Sequence, residues 1–237
     1  MRLITSAIVG TALTLATPVL AKDKAWYIGV EGGPTVIKDI NFDIGTTRSA
    51  ARTDLDAGFD VDAIVGYDFG AFRLEAEVGY RDAKNIRYNS LVSIPGYGGP
   101  ANVPFGITGR TNSLSLMMNG LFEFGDPDEL QGFAGGGVGV AKVRIPEYTA
   151  NGIVPIIRGS DTVIAYQLFA GGRLPVSPNI DLSLKYRYAS TGTIGIDDAL
   201  GRRNAFTLPS HSFLFGFTFN FASPVQEPNP NPTDEVM

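Results

Sequence analysis

The 237-residue chain contains no cysteine, one histidine and one tryptophan. Without cysteine there is no disulfide framework and no thiolate metal site, so stability must come from burial or from a membrane. Clusters of Lys and Arg are also missing, and the formal net charge is −5, which leaves no electrostatic footprint for nucleic acid. Long apolar runs are absent beyond the N-terminus, which excludes a polytopic helical membrane protein. Helical periodicity is lacking too, because Pro and Gly recur too densely for long helices.

Residues 1–21, MRLITSAIVGTALTLATPVLA, are the exception in hydropathy. A positive start at Arg2, a short apolar run and a small-residue close at Ala21 define a secretory signal peptide, with cleavage expected before Lys22. The expected organisation is signal peptide 1–21, β-barrel 22–222 and a Pro-rich extended tail 223–237.

Eight segments alternate with period two, at about 25–38, 58–69, 72–84, 111–124, 131–144, 162–174, 179–189 and 211–221. Short turns (Gly70-Ala71, 125–129 and 175–178) alternate with long polar or Gly/Pro-rich connections at 39–57, 85–110, 145–161 and 190–210. All short turns therefore lie at one end of the strands and all long loops at the other.

One face of these strands is apolar. Phe59, Val61, Val65 and Tyr67 oppose Asp60, Asp62 and Asp68. Leu74, Val78 and Tyr80 oppose Arg73, Glu75, Glu77 and Arg81, while Leu182, Leu184 and Tyr186 oppose Asp181, Lys185 and Arg187. A soluble barrel would turn the apolar face inward and an outer-membrane barrel would turn it to lipid. Loop asymmetry, export, aromatics at both strand ends and a charged face of mixed sign select the second. The expected fold is all-β, an eight-stranded antiparallel up-and-down transmembrane β-barrel in a Gram-negative outer membrane.

The last strand, HSFLFGFTFNF, places Phe at every second position from Phe213 to Phe221. Gly216, Phe219 and Phe221 match the terminal Gly-x-x-aromatic-x-aromatic pattern of outer-membrane barrels, with Leu214 departing from its polar position. GVEGG (29–33), VGYDFGAFRLEAEVGYR (65–81), LQGFAGGGVGVAKV (130–143) and LKYRY (184–188) resemble the N-terminal barrel of OmpA-family proteins, in forms associated with alphaproteobacteria. The resemblance implies that Gly216, Phe219 and Phe221 form an insertion signal read by the barrel-insertion machinery. It also implies periplasmic chaperones during biogenesis, and outer-membrane lipid and lipopolysaccharide as surroundings. The peptidoglycan-binding domain that follows many such barrels is not expected, because the chain stops after SPVQEPNPNPTDEVM.

Glu31, Asp60, Asp62, Asp68, Arg73, Glu75, Glu77, Arg81, Glu123, Asp181, Lys185 and Arg187 are the candidate interior. An eight-stranded barrel is too narrow for a wide pore. Two readings remain, a satisfied ion-pair network or a narrow gated path with Arg73, Glu75, Lys185 and Arg187 as its gate. A third reading, a lipid-modifying enzyme, rests on His211 with Ser210, Ser212, Asp197 and Asp198. Neighbours on a strand diverge, so a polar rim residue is expected instead of a catalyst. No cofactor or metal is expected: GFAGGGVGVAK lacks the Gly-Lys pair of a phosphate loop, and TDLDAGFDVD lacks the order of a calcium loop. The long loops, with Tyr97 and Phe105 in the second, are the expected place for an extracellular ligand.

Overall fold

The computed structural model describes residues 24–93, 100–150 and 154–221. Residues 1–23 and 222–237, and with them the expected signal peptide 1–21 and tail 223–237, lie outside the described residues, as does Tyr97, and the side chain of Phe105 is likewise not described. The first strands are β1 Trp26–Ile37, β2 Ile40–Ile44, β3 Thr47–Leu55, β4 Gly58–Asp68 and β5 Phe72–Ser93. There follow β6 Pro100–Thr108, β7 Arg110–Phe124, β8 Gln131–Ala150 and β9 Val154–Ser177. The last are β10 Ile180–Thr191, β11 Ile194–Asp197, β12 Arg203–Phe206 and β13 Ser210–Asn220.

Eight of these strands form a closed antiparallel wall. β1 pairs with β4, β4 with β5, β5 with β7, β7 with β8, β8 with β9, β9 with β10 and β10 with β13. Closure comes from β13 returning to β1, from Tyr27 opposite Asn220 to Ile37 opposite Ser210. Closing the sheet leaves no edge, so every wall strand finds backbone partners on both sides inside a bilayer.

Alternation decides which way each side chain points. Val61, Val65, Leu74, Val78, Leu116, Met118, Leu182, Leu184, Phe213 and Phe215 are exposed on the outside, while Asp60, Glu77, Lys185 and Arg187 are buried within. Aromatic rings collect at both borders of that apolar band. Trp26, Tyr67, Phe69, Phe72 and Phe122 touch in sequence at the turn end. Phe59 with Tyr80, and Tyr166 with Tyr188, hold the other border. This is the girdle arrangement of membrane barrels.

The short turns follow from local chemistry. Gly70 takes φ 106°, and its N–H donates to the Asp68 carboxylate at 2.7 Å, while Phe69 N–H donates to Phe72 O at 2.9 Å. Glycine at the first central position suits a two-residue hairpin. The third turn is tighter than the expected 175–178, since β9 runs to Ser177 and Pro175 still pairs with Asp181.

The long connections correct the sequence reading. They are not irregular loops: β2, β3, β6, β11 and β12 lie within them, and β5, β8 and β9 continue far past the wall at 22, 20 and 24 residues. About 10 residues suffice to cross a bilayer as a tilted strand, so roughly half of each long strand stands beyond it. Beyond the wall, β12 pairs with β2, β2 with β3, β3 with β5 and β5 with β6. An isolated bridge from Ile157 to Asp198 ties β9 to the β11–β12 hairpin.

This crown has its own apolar core, including Ile37, Ile40, Phe42, Tyr88, Val143, Ile145, Tyr148, Ile156, Ile194 and Phe206. The Phe42 ring lies 4.8 Å from that of Phe206 and 6.3 Å from that of Tyr88. Each such side chain contributes about 1.5–3 kcal/mol on full burial, which explains why a nominally polar connection folds. The lumen thus changes character along its axis, charged within the wall and apolar in the crown.

Candidate functional site: the barrel interior

The interior charges fall into three tiers. In the tier beneath the crown, the guanidinium of Arg187 on β10 is completely buried and faces three carboxylates across the lumen. Its Nη1 lies 3.0 Å from both Asp62 and Glu77, and its Nη2 pairs with Asp60. Asp60 also accepts from Arg81 Nε at 2.9 Å and from the Ser212 hydroxyl at 2.7 Å. Glu77 accepts further from Asn119 at 2.8 Å and from Gln167 at 3.1 Å, and Gln167 donates in turn to the Asn119 carbonyl oxygen at 2.8 Å. Arg187 can serve this many acceptors because its donors are fixed in a planar fork.

The middle tier joins Lys185 to Glu31 as an ion pair, with the Lys185 ammonium 4.9 Å from the Phe169 ring centre. Glu75 accepts a hydrogen bond from the Tyr27 hydroxyl at 2.9 Å. In the turn-end tier Arg73 bridges Asp68 at 2.6 Å and Glu123 at 2.8 Å, and Glu123 also pairs with Arg173. The guanidinium of Arg73 stacks over Tyr27 and that of Arg173 over Phe133, at 5.0 and 5.6 Å. Asp181 accepts from the Asn220 amide at 2.8 Å.

Glu31, Asp62, Arg73, Glu75, Glu77, Arg81, Asp181, Lys185 and Arg187 therefore all face the lumen, and Asp60, Asp68 and Glu123 complete their partners. Sequence reading missed Tyr27, Asn119, Gln167 and Arg173. Period two held the signal for Gln167 and Arg173, since Ile164, Tyr166, Leu168 and Leu174 face outward. Phe169 obscured it by pointing inward into a cluster with Leu121 and Phe133. Glycine on β8 clears space for the amides: a Cβ at Gly137 would stand 1.9 Å from Asn119 Oδ1.

The Ser/His/Asp constellation does not assemble. Ser212 points into the lumen against Asp60 and Thr35, whereas His211 points out, its Nδ1 2.7 Å from the Tyr186 hydroxyl. The wall separates them. Asp198 is engaged in a crown turn, accepting from Leu200 N–H at 2.9 Å and from Arg202 Nε at 2.8 Å. In the last strand Gly216 faces inward and approaches its neighbours closely, since a Cβ there would meet Ser183 Oγ at 2.1 Å. Phe219 and Phe221 face outward in edge contact at 5.3 Å.

A closed eight-stranded wall, an apolar belt between aromatic girdles and a charged lumen define an outer-membrane β-barrel protein. The Outer membrane protein beta-barrel domain family matches residues 6–221, and the chain belongs to that family. It is 23% identical over 172 residues to the outer membrane protein PagN of Salmonella typhimurium, covering 66% of this chain and 70% of PagN. Among solved structures, Neisserial surface protein A shares the fold with a TM-score of 0.50 at 15% identity, over 83% of this chain and 97% of that one. OprG of Pseudomonas aeruginosa has a TM-score of 0.50 at 14% identity, over 85% and 98% of the two chains. The protein is thus located in the outer membrane.

Proposed function

We propose that this protein is a non-catalytic, OmpA-like surface barrel of the alphaproteobacterial type, which displays a folded crown on a sealed membrane wall. The observation that carries the reading is the filled lumen, with interlocked ion pairs below and an apolar core above. An ion entering from the crown would have to pass the apolar core of Ile37, Phe42, Ile156 and Phe206, where desolvation is costly. This supports the network role of Glu31, Asp62, Arg73, Glu75, Glu77, Arg81, Asp181, Lys185 and Arg187 over the gated-path role.

Residues 1–21 act as a cleaved signal peptide in this reading, residues 22–222 as the barrel and residues 223–237 as a Pro-rich periplasmic tail. Gly216, Phe219 and Phe221 act as the insertion signal for the barrel-insertion machinery, after delivery by periplasmic chaperones. Lipopolysaccharide surrounds the loop-end girdle, and the crown is the face offered to an extracellular ligand. The test is single-channel recording in planar bilayers alongside gel mobility of boiled and unboiled samples. A heat-dependent shift with no conductance is expected, for the native chain and for Glu75→Gln. Stable conductance steps altered by Glu75→Gln would replace this reading with the channel.

A further inference from the structure

The outward face of β8 and β9 changes abruptly above the apolar band. Val140 pairs with Ile164, and both are exposed to lipid. Two residues further along, Lys142 stands opposite Thr162, and two beyond that Arg144 stands opposite Ser160. Arg158 is exposed on the same side, next but one to Ser160. At about 3.3 Å per residue, Lys142 lies roughly 7 Å and Arg144 roughly 13 Å along the strand from the last lipid-facing pair, which for strands tilted about 45° is a height of roughly 5 and 10 Å. That is head-group depth, on the loop side of the membrane.

Lys142, Arg144 and Arg158 line one open cleft of about 290 Å³ with Pro146, Gly159 and Ser160. Like charges this close on neighbouring strands repel, yet none of the three has a carboxylate partner among the described residues. The nearby acids are turned elsewhere. Asp161 accepts from Gly195 N–H at 2.8 Å in the crown, and Asp82 is held by Arg110. Glu147 is exposed beyond the irregularity between Ile145 and Tyr148. Three unpaired cations beside the Ser160 hydroxyl form a donor set suited to phosphate.

We infer that this cleft binds the phosphate groups of the outer leaflet's anionic glycolipid, lipopolysaccharide, and so fixes the height of the barrel in the membrane. The inference rests on the surface-barrel orientation proposed above and adds a specific site to it. Guanidinium forks at Arg144 and Arg158 would grip phosphate oxygens bidentately, with Lys142 nearest the acyl chains. The lipid-facing Val140 and Ile164 directly below would pack those chains, so both ends of one lipid are accommodated.

The test uses the full chain in detergent micelles, with the heat-dependent gel shift confirming a folded barrel in every sample. Binding of bisphosphorylated lipid A is compared with binding of the same lipid stripped of phosphate. Each cation near an anionic surface is expected to matter about fivefold. Single Lys142→Gln, Arg144→Gln and Arg158→Gln variants should each weaken binding by about that factor, and the triple variant by roughly 100-fold. Arg48→Gln, in the exposed β2–β3 hairpin, should bind as the native protein does. Equal binding by the triple variant, or equal binding of the phosphate-free lipid, would overturn the site while the retained shift left the barrel intact. Displacement of lipid A by inorganic phosphate at similar concentration would also overturn it, by assigning the cleft to the free anion. If the triple variant loses the shift, Arg144→Gln alone decides, since unchanged affinity there is equally fatal.

Discussion

At the scale of single residues, Arg187 has the largest expected effect. It sits fully buried against Asp60, Asp62 and Glu77, so Arg187→Gln strands carboxylates in a low-dielectric lumen. Removing one partner of a buried ion pair costs about 3–5 kcal/mol. Urea unfolding followed by loss of the heat-dependent gel shift should show that decrease, and Arg187→Lys should recover only part of it, because an ammonium lacks the planar fork. Gly139→Ala is expected to impair folding, because its Cβ would stand 2.0 Å from the backbone Leu116 O, whereas Gly216→Ala should be tolerated, since the Ser183 hydroxyl it would meet can rotate away. His211→Ala, by contrast, should leave lipid A composition unchanged in whole cells. His211 is a rim residue between Tyr186 and Tyr188, and Ser212 lies on the other side of the wall.

Among the elements, the crown is separable from the wall. Phe42 packs against Phe206 and Tyr88 in the crown core, and Phe→Ala in a core costs about 3–5 kcal/mol. Phe42→Ala should open the crown to protease while the wall keeps its gel shift. Burial also raises the Tyr88 phenol, outside the membrane, to about 12, against an ordinary value near 10.0. A raised folded value favours the neutral phenol in the folded crown. That contribution is complete below pH 10 and fades as pH rises through about 12. Protease sensitivity of the crown should therefore increase between those limits, and Tyr88→Phe should remove much of the effect. The eight wall strands were legible in the alternation of residues such as Phe59 to Tyr67, because lipid and lumen impose opposite chemistries on successive positions. The crown strands were not. Their apolar residues, such as Phe42 and Ile156, are interrupted by Gly, Pro and charge, and they are buried only by strands distant in sequence.

For the whole molecule, the question is whether the lumen passes solute. Each tier pairs its cations with carboxylates and keeps one carboxylate in excess, and the crown core lies across the outer opening. Removing part of the crown should not by itself open a path, because the tier around Arg187 remains. Phe42→Ala is therefore expected to stay electrically silent in planar bilayers. Phe42→Ala combined with Arg187→Gln, if it folds, should be the first variant to conduct. Such non-additivity is expected of two barriers in series. Insertion belongs to the same scale: Phe221→Ala should slow appearance of the heat-shifted form in cells without lowering the stability of the assembled barrel by more than about 0.5 kcal/mol, the range of exposed substitutions.

The sequence by itself determined that eight strands form the wall, which way most of their side chains point and that the long connections share one end of the barrel. Period two and turn chemistry are local, and a bilayer leaves only one consistent way to close such strands. HSFLFGFTFNF already carried its outward Phe face and its inward Gly216, Thr218 and Asn220. Only the tertiary structure decided which charges meet. Arg187 reaches Asp60 and Glu77 across 127 and 110 positions of chain, a pairing set by barrel closure and not by any local pattern. The same holds for the crown, whose core draws on Ile37, Tyr148 and Phe206 and exists only once the eight strands have been brought into one ring.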